Sequence, residues 1–188
     1  MLRNTLLAGA LALSLVTPAV AQDASSTSTT TVNPGVSPLT GISATDYVKM
    51  AADSDMFEIQ SSRLALMRSK RDDVKSFAKE MITDHMMTSK ALKAALKNND
   101  RTIAPPSTKL SSENASKLTL LKKAPKAGFD DLYLQQQLAA HQTAWALHKG
   151  YATDGTDTAL RQVASTAVPV IERHLTHAQQ MVPAGLAQ

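Results

Sequence analysis

From residue 44 to residue 182, apolar side chains recur every three or four positions, the period of a helix that buries one face. No part of that stretch shows the apolar/polar alternation of a half-buried strand. Breaks in the pattern give four long helices, at about residues 44–69, 72–98, 129–153 and 157–182, and a shorter helical piece at about 109–123. Ser43 with Asp46 three residues on has capping-box spacing at the first start. Asn98, Pro105 and Pro106 stop the second helix, Gly155 closes the third, and Pro183 with Gly185 ends the fourth. Pro169 falls inside the fourth helix and should kink it, because proline removes a hydrogen bond and crowds the preceding turn. Four rods, each roughly 37 Å long at about 1.5 Å per residue, with one longer connection predict an all-α antiparallel four-helix bundle. The additional short helix lies in the crossover between helices 2 and 3.

The arcs that face the core carry residues that do not belong in grease. On the first helix Val48, Ala51, Ala52, Ile59, Ala65 and Leu66 point inward, and Glu58 lies among them beside Ser62. On the second, Val74, Phe77, Ala78, Met81, Leu92 and Ala95 share an arc with His85. On the third, Gln137, His141 and His148 lie in the middle of the apolar arc, and on the fourth His174 falls within the stripe while His177 sits near its edge. Each long helix therefore brings one of Glu58, His85, His141 and His174 inward. Counted from the helix ends, three of these are near mid-length and His174 is displaced by roughly 5–8 Å. A buried charge is costly unless paired, so four such groups in one core are most simply explained if they meet. "MITDHMMTSK", residues 81–90, is not a metal claw, because Met86 and Met87 rotate away from the face that Met81 and His85 share, with Asp84 at its edge.

The ends change the picture of where such a bundle works. Arg3, an apolar run from Leu6 to Val16 and the small-x-small ending Ala19-Val20-Ala21 predict a cleavable signal peptide over residues 1–21. Its core is too short to span a bilayer as a helix, which takes about 20 apolar residues. The expectation is a periplasmic or secreted protein cut after Ala21, without a transmembrane anchor in the mature chain. Residues 22–42 are Ser/Thr/Pro-rich and predict a disordered tether, leaving 43–183 as the bundle domain. Without residues 1–21, whose one charged side chain is Arg3, the formal charge falls from +4 to +3, and the basic residues are spread along helices. That excludes a clustered basic face of the kind that binds nucleic acid. With no cysteine there is no disulfide, and stability must come from packing.

"FAKEMITDH" (77–85), "FDDLYLQQQLAAHQTAWAL" (129–147), "VPVIERHLTHAQQM" (168–181) and the first-helix run "DYVKMAADSDMFEIQSSRLAL" (46–66) resemble the exported ferritin-like bundles catalogued as domain of unknown function 4142. The resemblance covers about residues 44–182. It implies a ferritin-like fold in the envelope of Gram-negative bacteria and no particular reaction. It also places the family's recurring polar positions on Glu58, Asp84, His85, His141 and His174. A more distant likeness, to exported ferritin-like proteins discussed in connection with copper, is weakened by Asp84-His85 standing where those carry paired histidines.

Two readings of the inward residues follow. In the first, the chain is a non-enzymatic structural or stress-related interaction module with an unknown envelope partner, and Glu58 and the histidines form a register-fixing network completed by Gln137, Tyr133 or Ser62. In the second, Glu58, His85, His141 and His174 hold a transition metal ion, zinc, copper or iron, with Met81, Asp84 and Gln137 behind them, and redox activity is a further possibility. Di-iron ferroxidase chemistry is disfavoured, since it needs Glu-x-x-His on two helices and Glu58 alone has the required role. No cysteine, Gly-x-Ser-x-Gly turn or glycine-rich phosphate loop supports nucleophilic catalysis. His148 and His177 are expected at helix ends or on the surface, and Trp145 as a core anchor.

Overall fold

Helix α1, Ala44–Arg68, starts where the Ser43 hydroxyl oxygen accepts the Asp46 backbone N–H at 3.1 Å. The Asp46 carboxylate answers by accepting the Ser43 hydroxyl proton at 2.7 Å, a variant of the reciprocal cap that the spacing predicts. A three-residue link leads to α2, Asp72–Ala95, which begins with two aspartates in its first turn, where carboxylates favour the helix dipole. The crossover holds α3, Ser112–Lys123, capped by Ser111, and a 3-10 turn at Lys126–Gly128. Then come α4, Phe129–Asp154, and α5, Thr158–Met181, the latter capped by the Asp157 carboxylate on the Leu160 N–H at 2.9 Å. Pro169 lies within α5, which runs on without a break. The computed structural model describes residues 34–97, 102–183 and 185, and all of them belong to one unit. Among the described residues there is no strand, and no helix is long and apolar enough to cross a membrane.

Helix α1 packs against α2 and α4, and α5 packs against α4 and α2, while α3 lies across α1 and α4. Two apolar clusters fix the relative directions. One contains Ala65, Val74, Phe77, Ala78, Met81, Phe129, Tyr133, Leu134, Leu175 and Ala178. The other contains Tyr47, Val48, Ala51, Leu92, Leu147, Tyr151, Leu160 and Ala164. The first draws on the C-terminal half of α1 and the N-terminal half of α2, and the second on their opposite halves, so those helices run antiparallel. The same bookkeeping makes α4 antiparallel to α1 and to α5.

Between the clusters each long helix contributes buried polar residues: Asp55, Glu58, Ser61 and Ser62 from α1, His85 from α2, Gln137 and His141 from α4, and His174 from α5. A polar belt thus divides the greasy interior in two.

The expected signal segment, 1–21, and residues 22–33 of the expected tether lie outside the described residues. The remainder of that tether is laid along α4: the Leu39 N–H donates to the Ala146 carbonyl at 2.9 Å, and the Gly41 N–H to Asp154 at 2.8 Å. Leu39 and Ile42 also pack on the second apolar cluster, which offsets the ordering entropy that composition alone leaves uncompensated. Gly150 permits the approach, since a Cβ there would run into the Leu39 carbonyl. The second helix closes at Ala95, short of Asn98.

Candidate metal centre

The α1 face that carries Glu58 also carries Asp55, one turn earlier, and both are buried. His85 on α2 enters between them. Its Nδ1–H donates to Asp55 Oδ1 at 2.8 Å and lies 3.0 Å from Glu58 Oε2. Thr88 and Ser89 hydroxyls donate to the Asp55 carboxylate at 2.8 and 2.9 Å, holding it in place. Burial alone would depress the His85 pKa, but the Glu58 and Asp55 charges outweigh it and raise the ring to about 10. Burial would likewise raise Glu58, and His85 with His141 instead hold it down at about 2. Glu58 is thus a carboxylate paired with an imidazolium in an interior that would otherwise reject both.

His141 and His174 behave differently. His141 Nδ1 is 2.8 Å from the backbone carbonyl of Gln137, one turn earlier, and a carbonyl only accepts, so Nδ1 carries the proton. His174 Nε2 is 2.9 Å from Asp84 Oδ2, and that carboxylate is ionised: burial would raise its pKa, but the His174 and Arg173 donors lower it. Nε2 therefore carries the His174 proton. Burial, above all, lowers the pKa of both rings, His174 to about 3, so both are neutral near pH 7. The two remaining nitrogens, His141 Nε2 and His174 Nδ1, consequently hold lone pairs, and they face each other at 3.2 Å.

That distance suits a hydrogen bond, but neither atom has a proton to give. His85 Nε2 is also buried with no hydrogen-bond partner. His141 lies edge to face with both His85 and His174, which are tilted by 46° to each other; the centroids are 5.5, 5.2 and 5.3 Å apart, and each ring supplies a nitrogen within 4.8 Å of one from each of the others. A cation at their meeting point would satisfy the two lone pairs and, in exchange for its proton, His85 Nε2, with the opposite nitrogens already anchored to oxygen, the usual support for histidine ligands.

Of the four residues expected to converge, the three histidines do so. The axial offset expected for His174 does not separate it from His141, because α4 and α5 begin and end at different levels and counting from helix ends misplaces height. Glu58 sits behind His85, at its Nδ1, with Oε1 3.6 Å from His141 Nδ1, and so orients rings from their outer side. Asp84 and Gln137 support His174 and His141, Gln137 through its carbonyl and not its side chain, whose Nε2 donates to Ser61 at 2.9 Å. Met81 belongs to the apolar cluster. Ser62 and Tyr133 bond each other at 2.9 Å instead of completing the histidine network.

Asp55 was not among the expected residues. The signal for it was present, since Val48, Ala51, Asp55, Glu58 and Ser62 keep one helical face. His148, expected near a surface or helix end, is buried, and its Nδ1 is 3.1 Å from the Tyr47 hydroxyl. The Tyr47 ring, stacked on Tyr151 of α4, lies edge-on to it with centroids 5.4 Å apart. His177 is half exposed, as expected. Trp145 is only partly buried, its indole N–H reaching Glu172 at 3.0 Å, so it bridges α4 and α5 at the margin and does not anchor the core.

The profile of one family, described as a domain of unknown function (DUF4142), matches residues 25–181. No curated protein and no solved structure matches the chain.

Proposed function

The chain belongs to the DUF4142 family, whose description gives no activity, and we propose that its function is to bind one transition metal ion at His85, His141 and His174. The helix contacts and the opposed halves of the two apolar clusters support reading the frame as an antiparallel four-helix bundle of ferritin-like kind. The signal-like residues 1–21 support an envelope location.

One observation carries this reading: two nitrogens left with lone pairs, His141 Nε2 and His174 Nδ1, lie 3.2 Å apart and fully buried. A network evolved only to fix register would place a proton between them, and here both rings are neutral with their protons turned outward. A bound ion would occupy the position those lone pairs share and would replace the proton on His85 Nε2, since ligands must present free electron pairs. Three imidazoles without thiolate suit zinc, copper or iron(II). Asp55 and Glu58 behind His85, the Gln137 carbonyl behind His141 and Asp84 behind His174 fix which nitrogen faces inward.

The deciding experiment is metal analysis of the chain purified from the periplasm and of chain equilibrated with each of the three ions. About one ion per chain is expected, lost in His141→Ala, at the simplest single-site stoichiometry. Failure to retain any of the three ions would overturn the proposal and return the cluster to a purely structural network.

A further inference from the structure

The centre is sealed, with His141 and His174 fully buried and His85 nearly so, and an ion must still reach it. On one side the seal thins. Glu80 and Asp84, one turn apart on α2, face His174 and His177, three residues apart on α5. Oxygens of Glu80 and Asp84 and a nitrogen of His174 lie within 4.8 Å of one another, and His177 Nδ1 is 3.1 Å from Glu80 Oε2. Side-chain exposure rises outward through the set, from 0% at His174 to 20% at Asp84, 28% at Glu80 and 43% at His177. The Arg173 guanidinium now bridges the two carboxylates, 3.0 Å from Glu80 and 2.6 Å from Asp84, so a cation already occupies the space between them.

Resting on the metal-binding reading above, we propose that Glu80, Asp84 and His177, with His174 Nε2, form an outer capture site for the same class of transition metal ion, which passes inward by way of His174. That ring belongs to both sites: Nε2 takes the outer ion once its proton has moved to Nδ1, where it faces the His141 Nε2 lone pair, and Nδ1 takes the inner ion with the proton back on Nε2 facing Asp84. A neutral imidazole has one lone pair, so His174 serves one ion at a time. Occupancy is therefore sequential, and the final stoichiometry stays at one. Arg173 acts as the competitor that an incoming ion displaces. It neutralises the carboxylates while the site is empty and cannot follow the ion inward.

The test is the rate of metal uptake, followed by stopped-flow with limiting zinc and a chromophoric chelator as donor. Glu80→Gln and His177→Ala, both outside the inner set, should load about tenfold more slowly or worse, the low end of what a focusing charge cluster adds to an association rate. Both should still reach the wild-type endpoint. Arg173→Gln should load faster than wild type. Glu113→Gln, which removes an exposed ion pair with Lys117 on α3, should load at the wild-type rate. Circular dichroism confirms that each variant is folded. Unchanged uptake in both Glu80→Gln and His177→Ala, with wild type still binding its single ion, would overturn the capture site and leave the inner centre standing. Absence of bound metal in wild type would instead overturn the reading beneath it.

Discussion

His141 and His148 lie on the same face of α4, two turns and about 10 Å apart, both buried, and their surroundings could hardly differ more. His148 Nδ1 is 3.1 Å from the Tyr47 phenol on another helix, which stays protonated because burial raises its pKa and so can donate to Nδ1. Tyr47 in turn stacks on Tyr151, ring centroids 4.0 Å apart. The His148 Nδ1 and the Tyr47 hydroxyl thus complement each other, and that pair is complete without an ion. At His141 the complement is missing, because the ring's lone pair meets another lone pair. Burial of an imidazole therefore says little about function. What distinguishes a centre from a packed histidine is whether the proton count closes.

The largest separation between the two regions should appear in metal content. His141→Ala should abolish stoichiometric binding, while His148→Gln, which keeps an acceptor for Tyr47, should leave it at the wild-type level. Elemental analysis of the two purified variants decides this, and loss of metal in both would erase the contrast.

Acid should then expose the cost of burying His148. Burial, foremost, depresses its pKa from 6.5 to about 4 in the fold. The unfolded chain thus binds a proton that the folded chain refuses between those values, and stability falls as pH drops through that window, by about 3 kcal/mol at about 1.4 kcal/mol per unit. It is fully present above pH 6.5. In urea titrations from pH 7.5 to 4, the His148→Gln curve should be flatter than wild type by that amount. Parallel curves would mean that His148 titrates normally.

Glu58→Gln tests the centre from behind. Removing the charge that orients His85 should weaken metal affinity by about 10- to 100-fold, the usual effect of altering a group that supports a ligand. Competition with a chelator of known affinity measures it. The corresponding change at the other region, Tyr47→Phe, should leave affinity alone and cost about 1–2 kcal/mol of stability, by stripping His148 Nδ1 of its buried donor.

Much of this contrast was legible beforehand. Glu58, His85, His141 and His174 stood on apolar arcs where helical periodicity alone put them, with Asp84 and Gln137 beside them. Periodicity gives angle around a helix, however, and neither height nor partner. For that reason Glu58 was placed at one meeting point with the three histidines while it lies at His85 Nδ1, Asp55 was passed over, and Trp145 was read as a core anchor. His148 stood in the middle of the α4 apolar arc but was expected at a helix end or on the surface, because its partner Tyr47 lies about a hundred residues away. Residues 34–42 read as a tether on composition, since the α4 groove that receives Leu39 is formed by distant chain.

The sequence by itself determined the helices and the side of each that turns inward, because those depend on neighbours within one or two turns. It also determined that ionisable groups would have to share an apolar interior. Only the tertiary structure decided which nitrogen of each ring is tied to an oxygen and which is left facing the others. His141 is tied to Gln137 of its own helix, but His85 and His174 are tied to carboxylates on other helices at 2.8 and 2.9 Å, and which nitrogens then face one another depends on partners that no single helix contains.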